Sequence, residues 1–442
     1  MTVDVGLVAD LRTEVLAGLS ARERTNQSRG GPVLGSADEQ ALGRQMIADA
    51  LEHRARRSIG NGTTVLSSDD EDELSRAVFD ALFRMHRLQR LLDDPEIENI
   101  NANGFDVVWV RYADGRRARV DPIAESDAEL IEMLRTAAAR TGTSERRFDL
   151  GAPNLSLSLP DGSRLFAVMA LSARPSLSIR RHRYLRVNPD DLVEMGTLDL
   201  ALREFVRAAM LAKKSCIICG GIGSGKTTLL RAMAADIPAA ERLITIEDSL
   251  ELGLDRYPDL HPDVVAMEAR EPNLEGEGEV TMAELVRWAL RMSADRVIVG
   301  EARGEEVLAL LNAMSQGTDG SMATLHASSS KGAFSKLATY AVQAPERLPL
   351  EATNLLVANA VHFVIFLAQD GDTRFVSSVR EVIDAEGAML ISNEVFRPGP
   401  DRRAVPGAPF RTETLDDLVA VGFDPLLMER ASGWWDTEGG AR

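Results

Sequence analysis

Residues 215–228, Ser-Cys-Ile-Ile-Cys-Gly-Gly-Ile-Gly-Ser-Gly-Lys-Thr-Thr, limit the possible folds more than any other stretch of the chain. An apolar strand over 215–219 runs into a glycine-rich turn, and the turn runs into a helix over 226–235. Gly220, four intervening residues and then Gly225-Lys226-Thr227 fit the phosphate-binding loop pattern, in the strand-before, helix-after setting that gives the pattern its meaning. Glycines let the backbone close into a nest of inward-pointing N–H groups, and the helix adds its positive end. Lys226 is a point charge for the β- and γ-phosphates, and the Thr227 hydroxyl is a Mg²⁺ ligand. Gly220, Gly221, Ile222, Gly223, Ser224, Gly225, Lys226, Thr227 and Thr228 are the expected nucleotide-binding set. The bland alternative is a glycine-rich turn that binds nothing.

At 442 residues the chain is long enough for about three domains. The net charge of −18 argues against a general nucleic-acid-binding surface, although a local basic groove is compatible with it. The first residues are acidic and lack a basic-then-apolar leader. The most apolar late run, Leu355 to Leu367, is too short for a bilayer and is interrupted by Asn359 and His362. These features lead to the expectation of a cytoplasmic chain that meets a membrane only through partners. Its two cysteines, Cys216 and Cys219, have C-x-x-C spacing. On a strand, positions three apart face opposite ways, so the pair cannot share a disulfide or a metal.

Three regions follow from the patterning. Residues 1–75 are expected to be a helical extension, with helical spacing over 13–19 and 38–57, a turn-rich linker at 26–32 and a break at Gly60-Asn61-Gly62. The acidic run after Ser68 suits a helix N-terminus capped by that serine, and the helix is expected to run over 74–92. Residues 76–187 are expected to form a small α+β domain. Its strands fall at 98–101 and 106–111 around Asn103-Gly104, its helix at 127–140, and a hairpin over 155–168 turns at Pro160-Asp161-Gly162. A basic segment, Arg180 to Arg186, leads out of it, either simply solvated or reaching a nucleotide held by the next domain. Residues 188–442 alternate strand and helix patterns, which implies an α/β domain with a mainly parallel sheet covered on both faces. The Pro- and Gly-rich tail with its last helix near 415–421 carries no assigned role.

Four further segments look placed to supply chemistry. Leu243 to Asp248 is an apolar strand ending in Glu247 and Asp248, and strand carboxyl ends face the ligand crevice of a parallel sheet. Such acids hold Mg²⁺ through water, position a water, or merely sit in solvent. Arg296 to Glu301 is another; glycine stands where the usual second nucleotide motif has aspartate, and Glu301 follows as a group able to activate water. Ser321 to His326 ends in a histidine that is either structural or a γ-phosphate sensor. Arg270, Arg287, Arg291 and Arg303 flank these strands, and spacing does not decide which of them neutralises phosphoryl charge.

Several of these stretches resemble one family. Ile244-Thr-Ile-Glu-Asp248, Glu268-Ala-Arg270, Pro272 to Gly276, Arg296 to Gly304 and Gly320 to Ala327 are similar to the secretion ATPase superfamily of type II and type IV systems. Asn273 to Val280 and Gly317 to Met322 resemble its CpaF/TadA branch, the motors of tight-adherence (Flp-type) pili. Leu91 to Pro95, Asn103-Gly104 and Leu159 to Arg164 match that branch's N-terminal domain. The resemblance implies a RecA-like P-loop ATPase domain preceded by a small PAS-like domain, assembled as a homohexamer with ATP at the interdomain cleft. It implies ATP and Mg²⁺ as cofactors, with Thr227 on the metal and Glu247 and Glu301 reaching it through water. Glu301 would be the catalytic base, with Glu247, His326 and Arg270 as further catalytic residues and Arg180 and Arg181 near the phosphates. Inner-membrane platform proteins of a pilus or secretion system are the implied partners, placing the chain at the inner face of the plasma membrane. Thr318 stands where the branch commonly has histidine, Arg84 to Gln89 replaces a glycine-rich motif, and Glu271 occupies a place often taken by proline. A conjugation-type DNA motor and a non-hydrolysing regulatory module are the alternative readings.

Overall fold

The patterned segments sort into two units in the computed structural model, which describes residues 5–28, 35–141, 147–181, 186–270, 272 and 276–429. The first unit takes in residues 1–160 and 164–181, the second 161–163 and 182–442. Helices α1 (Val5–Ser28), α2 (Ser36–Gly60) and α3 (Ser68–Phe83) pack Leu7, Leu11, Val15, Ile47, Leu51, Val78 and Leu82 into one cluster. The linker expected at 26–32 is helical through Ser28, and the rest of it lies outside the described residues. Ser67, not Ser68, caps α3: its hydroxyl accepts the Asp70 N–H at 3.2 Å, one residue earlier than the sequence suggests. The single helix expected over 74–92 is broken after Phe83. Backbone at Arg84 leaves the helical region and His86 takes φ +50°, so α4 (Leu88–Asp93) starts anew.

A six-stranded antiparallel sheet follows, from β1 (Ile97–Asn103), β2 (Val108–Tyr112), β3 (Arg117–Val120), β4 (Asn154–Ser158), β5 (Arg164–Val168) and β6 (Ser176–Arg180), in the order β3-β2-β1-β6-β5-β4. Helix α5 (Asp127–Thr141) covers it with Leu130 and Leu134, against Ile100, Val108, Leu165 and Ile179. Arg174 ties the unit together, donating to both carboxylate oxygens of Asp127 at 2.7 and 2.8 Å.

The second unit is α/β. Its elements are α6 (Pro189–Glu194), α7 (Leu200–Leu211), β7 (Cys216–Gly220), α8 (Lys226–Ala235), β8 (Leu243–Glu247), β9 (Val264–Glu268), α9 (Met282–Ala289) and β10 (Arg296–Ala302). There follow α10 (Glu306–Met314), β11 (Met322–His326), α11 (Ser330–Gln343), α12 (Leu350–Ala360), β12 (Phe363–Asp370), β13 (Thr373–Glu386), β14 (Met389–Pro398), β15 (Ala404–Pro406) and α13 (Thr412–Ala420). The nine strands lie in the order β15-β14-β13-β12-β7-β11-β10-β8-β9. Pairing is parallel from β12 to β9 and antiparallel from β12 to β15, so the tail adds a meander that strand–helix alternation does not announce.

Both faces are apolar, as a covered parallel sheet requires. Cys216 and Ile218 point into one core and Ile217 and Cys219 into the other. The two thiols are free and buried on opposite faces, and burial pushes each up to about 12. On the first face Phe205 of α7 meets Phe363 edge-on at 4.9 Å, lies 5.4 Å from Phe396 and stacks on Phe410 at 5.7 Å. Phe410 also meets Phe423 at 6.0 Å, so the tail closes this core and thereby has a structural job. At the amino ends of the strands, fully buried Arg296 is held by both Glu241 oxygens at 2.7 and 3.0 Å and donates to Met210 O and Gly320 O.

Among the described residues no helix is long and apolar enough to cross a membrane. The late apolar run is divided between α12 and β12. Because the aromatic cluster joins the tail to α7, Phe410→Ala should lower unfolding stability by about 3–5 kcal/mol, the usual cost of a deleted core phenylalanine. Urea unfolding followed by circular dichroism measures it, and a loss below about 1 kcal/mol would mean that the tail does not close the core.

Candidate active site

Sheet order brings four carboxyl ends side by side. Proceeding from β7 through β11 and β10 to β8, the strands end at Gly220, His326, Glu301 with Ala302, and Glu247. Parallel register sets His326 level with Gly220 and Ile246 level with Val299. All four motifs read in the sequence therefore open onto one crevice, where parallel α/β sheets bind ligands.

The glycine-rich turn is built for close approach. A Cβ on Gly220 would sit 2.7 Å from the Leu367 carbonyl oxygen and 2.5 Å from Ser224 Oγ, so no side chain fits. Gly223 and Gly225 take φ +75° and +93°, the left-handed region where other residues are strained. Ser224 Oγ donates to Gly221 O at 3.0 Å and braces the turn, while Ile222 points outward, 85% exposed. Thr227 and Thr228 are half-buried on the first turn of α8. Lys226 is buried, and its ammonium donates to Gly221 O at 2.8 Å and Gly220 O at 3.3 Å.

From Lys226 a chain of polar contacts crosses the crevice. The ammonium lies 3.3 Å from His326 Nδ1, and His326 Nε2 lies 2.9 Å from Glu301 Oε1. Lysine can only donate, so Nδ1 is the acceptor in that contact. The Nε2–Oε1 approach is an ion-pair distance, and Glu301 Oε1 has no hydrogen-bond partner among the described residues. Burial lowers the His326 pKa, Lys226 lowers it further, and Glu301 opposes both. The neutral imidazole fits these partners. Glu301 Oε2 accepts from Arg303 at 2.7 Å, and Arg303 reaches Asp248 at 3.7 Å. Burial raises the Glu301 pKa, but the Arg303 hydrogen bond and the positive charges of Arg303 and Lys226 outweigh it. The net shift is downward, and the group is a carboxylate near neutrality.

Glu247 is the opposite case. It is buried, with Oε1 accepting the N–H groups of Glu251 at 3.0 Å and Leu252 at 2.9 Å. Its Oε2 is buried with no hydrogen-bond partner among the described residues. Burial pushes this carboxyl up to about 8, against the pull of the two N–H groups. Gly300 on the neighbouring strand lies directly against it: a Cβ there would stand 2.9 Å from Glu247 Cγ and 3.0 Å from Oε1. The glycine where aspartate is usual thus has a steric cause, since the acid filling that space comes from β8. Arg231 of α8 holds the loop that serves Glu247, donating to Leu252 O at 3.0 Å and to Glu251 O. Nothing in its sequence setting marks it, because an arginine on an amphipathic helix is ordinarily solvated.

The other arginines are distributed differently. Arg303 belongs to the crevice. Arg270 follows edge strand β9, where its backbone bridges Val280 and its guanidinium donates to Gly278 O at 2.5 Å. Edge strand β9 stands four places from β7, about 19 Å at ordinary strand spacing. Arg180 and Arg181 are in the first unit, where Arg181 donates to the carbonyls of Asp94 and Ile97. Arg287 pairs with Glu346 at 3.6 Å, and Arg291 is exposed. Thr318 is buried and caps α10 by donating to Ala313 O at 2.8 Å, a structural task at the opposite end of β11. Glu271, residues 273–275 and residues 182–185 of the basic segment lie outside the described residues.

Residues 88–394 match the family described as Type II/IV secretion system protein. A Mycobacterium tuberculosis protein named for conjugal transfer is 33% identical over 311 residues, covering 68% of this chain and 85% of that protein. The type IV secretion system protein VirB11 of Brucella suis is 31% identical over 340 residues, covering 70% and 92%. The crystal structure of the VirB11 ATPase from Brucella suis in complex with sulphate covers 67% of this chain and 96% of its own, at 29% identity and a TM-score of 0.36.

Two outcomes follow from Glu247. Its folded pKa is raised, so it favours the folded state at low pH and loses that contribution as pH climbs from the ordinary 4.5 toward about 8. Histidines with lowered pKa and Asp236, raised to about 6, titrate mainly below pH 6.5. Between pH 6.5 and 8, nucleotide-free protein should therefore lose up to about 2 kcal/mol that Glu247→Gln does not lose, measured by chemical denaturation. Parallel pH profiles would contradict the burial of an ionisable Glu247. Separately, Gly300→Ala should cost about 1–3 kcal/mol by overpacking. Glu247→Ala in the same chain should relieve it, and strict additivity in the double-mutant cycle would remove the steric account.

Proposed function

The chain belongs to the type II/IV secretion system protein family, and on that premise we propose that it is a Mg²⁺-dependent ATPase of the CpaF/TadA branch. In this reading it works as a homohexameric motor that pushes on inner-membrane platform proteins to assemble a tight-adherence, type IV-like pilus or to drive a related secretion step. The observation that carries the proposal is the contact chain Lys226–His326–Glu301–Arg303 laid across the end of a phosphate-binding loop. Residues 1–75 are then an extension, 76–187 the N-terminal domain and 188–442 the motor domain.

The residues fit a magnesium nucleotide. The loop has two left-handed glycines and a lysine donating to its own carbonyls, and Glu247 keeps one buried oxygen without a hydrogen-bond partner. Thr227 would hold the metal, with Glu247 and Glu301 behind a water layer, and the ion would supply charge neutralisation at the phosphates. Glu301, ionised and held from both sides, takes the proton of the attacking water. His326 stands between that carboxylate and Lys226 as a polar bridge, and the ammonium exchanges loop carbonyls for phosphate oxygens. Arg303 balances the carboxylate while it waits. Arg180, Arg181 and Arg270 are assigned to nucleotide contacts completed on assembly.

A conjugation-type DNA motor is the second reading, favoured by the name of the mycobacterial relative and opposed by the net charge of −18. Steady-state ATP hydrolysis and light scattering of wild type and Glu301→Gln test the first reading. Nucleotide-dependent hexamers losing at least about tenfold in turnover, roughly 1.4 kcal/mol of transition-state stabilisation, are expected. A wild-type monomer that binds ATP without turning it over would overturn the motor reading, and stimulation by DNA would favour the second.

A further inference from the structure

We infer that Arg374, at the start of β13, is a nucleotide-binding residue for the part of the nucleotide that is not transferred, gripping its α-phosphate from the flank of the loop opposite His326. This rests on the nucleotide-binding reading above and adds a contact that the sequence patterns do not mark.

The argument begins with sheet order. The acids and the histidine assigned to hydrolysis, Glu247, Glu301 and His326, come from β8, β10 and β11, on one side of β7. On the other side β12 pairs with β7 in parallel, Leu367 level with Gly220, and then runs on past the end of β7. It turns at Gly371 into β13, with Gln369 opposite Arg374 and Asp370 opposite Thr373. This hairpin therefore flanks the phosphate loop. A Cβ on Gly225 would lie 3.4 Å from Arg374 Cδ, and one on Gly223 would lie 3.9 Å from Gln369 Oε1.

Arg374 Nε is inaccessible to solvent and has no hydrogen-bond partner among the described residues. Gln369, opposite it in the hairpin, donates its amide N–H to Gly371 O at 2.8 Å and is not a partner of Arg374 Nε. A buried guanidinium nitrogen left unmade is costly, and arginine is the side chain best shaped for phosphate oxygens. The adjoining loop is itself a phosphate site in the reading above. With the γ-phosphate toward His326 and Glu301, the α-phosphate and ribose fall on the β12 side, within reach of a side chain lying on Gly225. A contact to the α-phosphate is common to di- and triphosphates, which separates Arg374 from a γ-phosphate sensor.

Isothermal titration calorimetry of the full chain with Mg²⁺-ADP and with Mg²⁺-bound adenylyl imidodiphosphate tests this, using wild type, Arg374→Ala and Arg374→Lys. Arg374→Ala should weaken both ligands at least about tenfold and by the same factor, with Arg374→Lys recovering part of the loss. In hydrolysis KM should rise by a similar factor while kcat falls less than about threefold. Unchanged affinity in either folded variant, or a loss confined to the triphosphate analogue, would overturn the assignment. If wild type binds neither ligand, the nucleotide reading fails with it; if wild type binds and Arg374→Ala binds equally, only this inference fails. Thermal unfolding of each variant separates lost binding from lost folding, and a variant that unfolds leaves the lysine form to decide.

Discussion

His326 stands level with Gly220 because β11 and β7 pair in parallel register, and the arrangement of the crevice follows from that pairing. Side chains on a strand alternate, so a slip of one residue would turn His326 away from Lys226 and expose the apolar positions Ala323 and Leu325 to the wrong face. Both cores oppose such a slip, since β7 and β11 are buried on each side. The apolar contacts that hold the sheet together are thus also what holds a lysine, a histidine and a glutamate at hydrogen-bonding distances.

The opposite ends of the strands show a different economy. Arg296 is a fully buried charge, tolerable only because Glu241 meets it with both oxygens and two carbonyls accept from two more of its hydrogens. That knot fastens α7, β10 and the segments before β8 and β11 at the base of the sheet. The ligand-facing ends are less completely satisfied. Glu247 has an oxygen to spare and Lys226 leans on loop carbonyls.

The legible parts of the sequence were those whose chemistry is local. A strand, a glycine turn and a helix follow one another in the chain, so the phosphate loop could be read without tertiary knowledge, and acids or a histidine ending apolar strands stood out in the same way. Less legible was anything decided by a neighbouring strand. Gly300 looks like a missing aspartate until Glu247 is seen filling its space. Arg231 and Arg374 look like ordinary surface arginines until α8 and the β12–β13 hairpin place them. Strand β3, Arg117-Ala-Arg-Val120, alternates correctly but over only four residues, too few to stand out, and is held by pairing with β2. The antiparallel meander was hidden because strand–helix alternation stops there, and the tail found its role only through the phenylalanines it returns to α7.

Cys216 and Cys219 look outward from one strand into two separate cores, each thiol buried and held far from ionisation. Neither presents a thiolate to solvent near neutral pH, so both are silent toward maleimides and other electrophiles while the fold is intact. The native chain is in effect free of reactive cysteine without any substitution. A single cysteine placed on its surface would be the sole attachment point for a fluorophore or spin label, and unexpected labelling of the native protein would itself report that the sheet had opened.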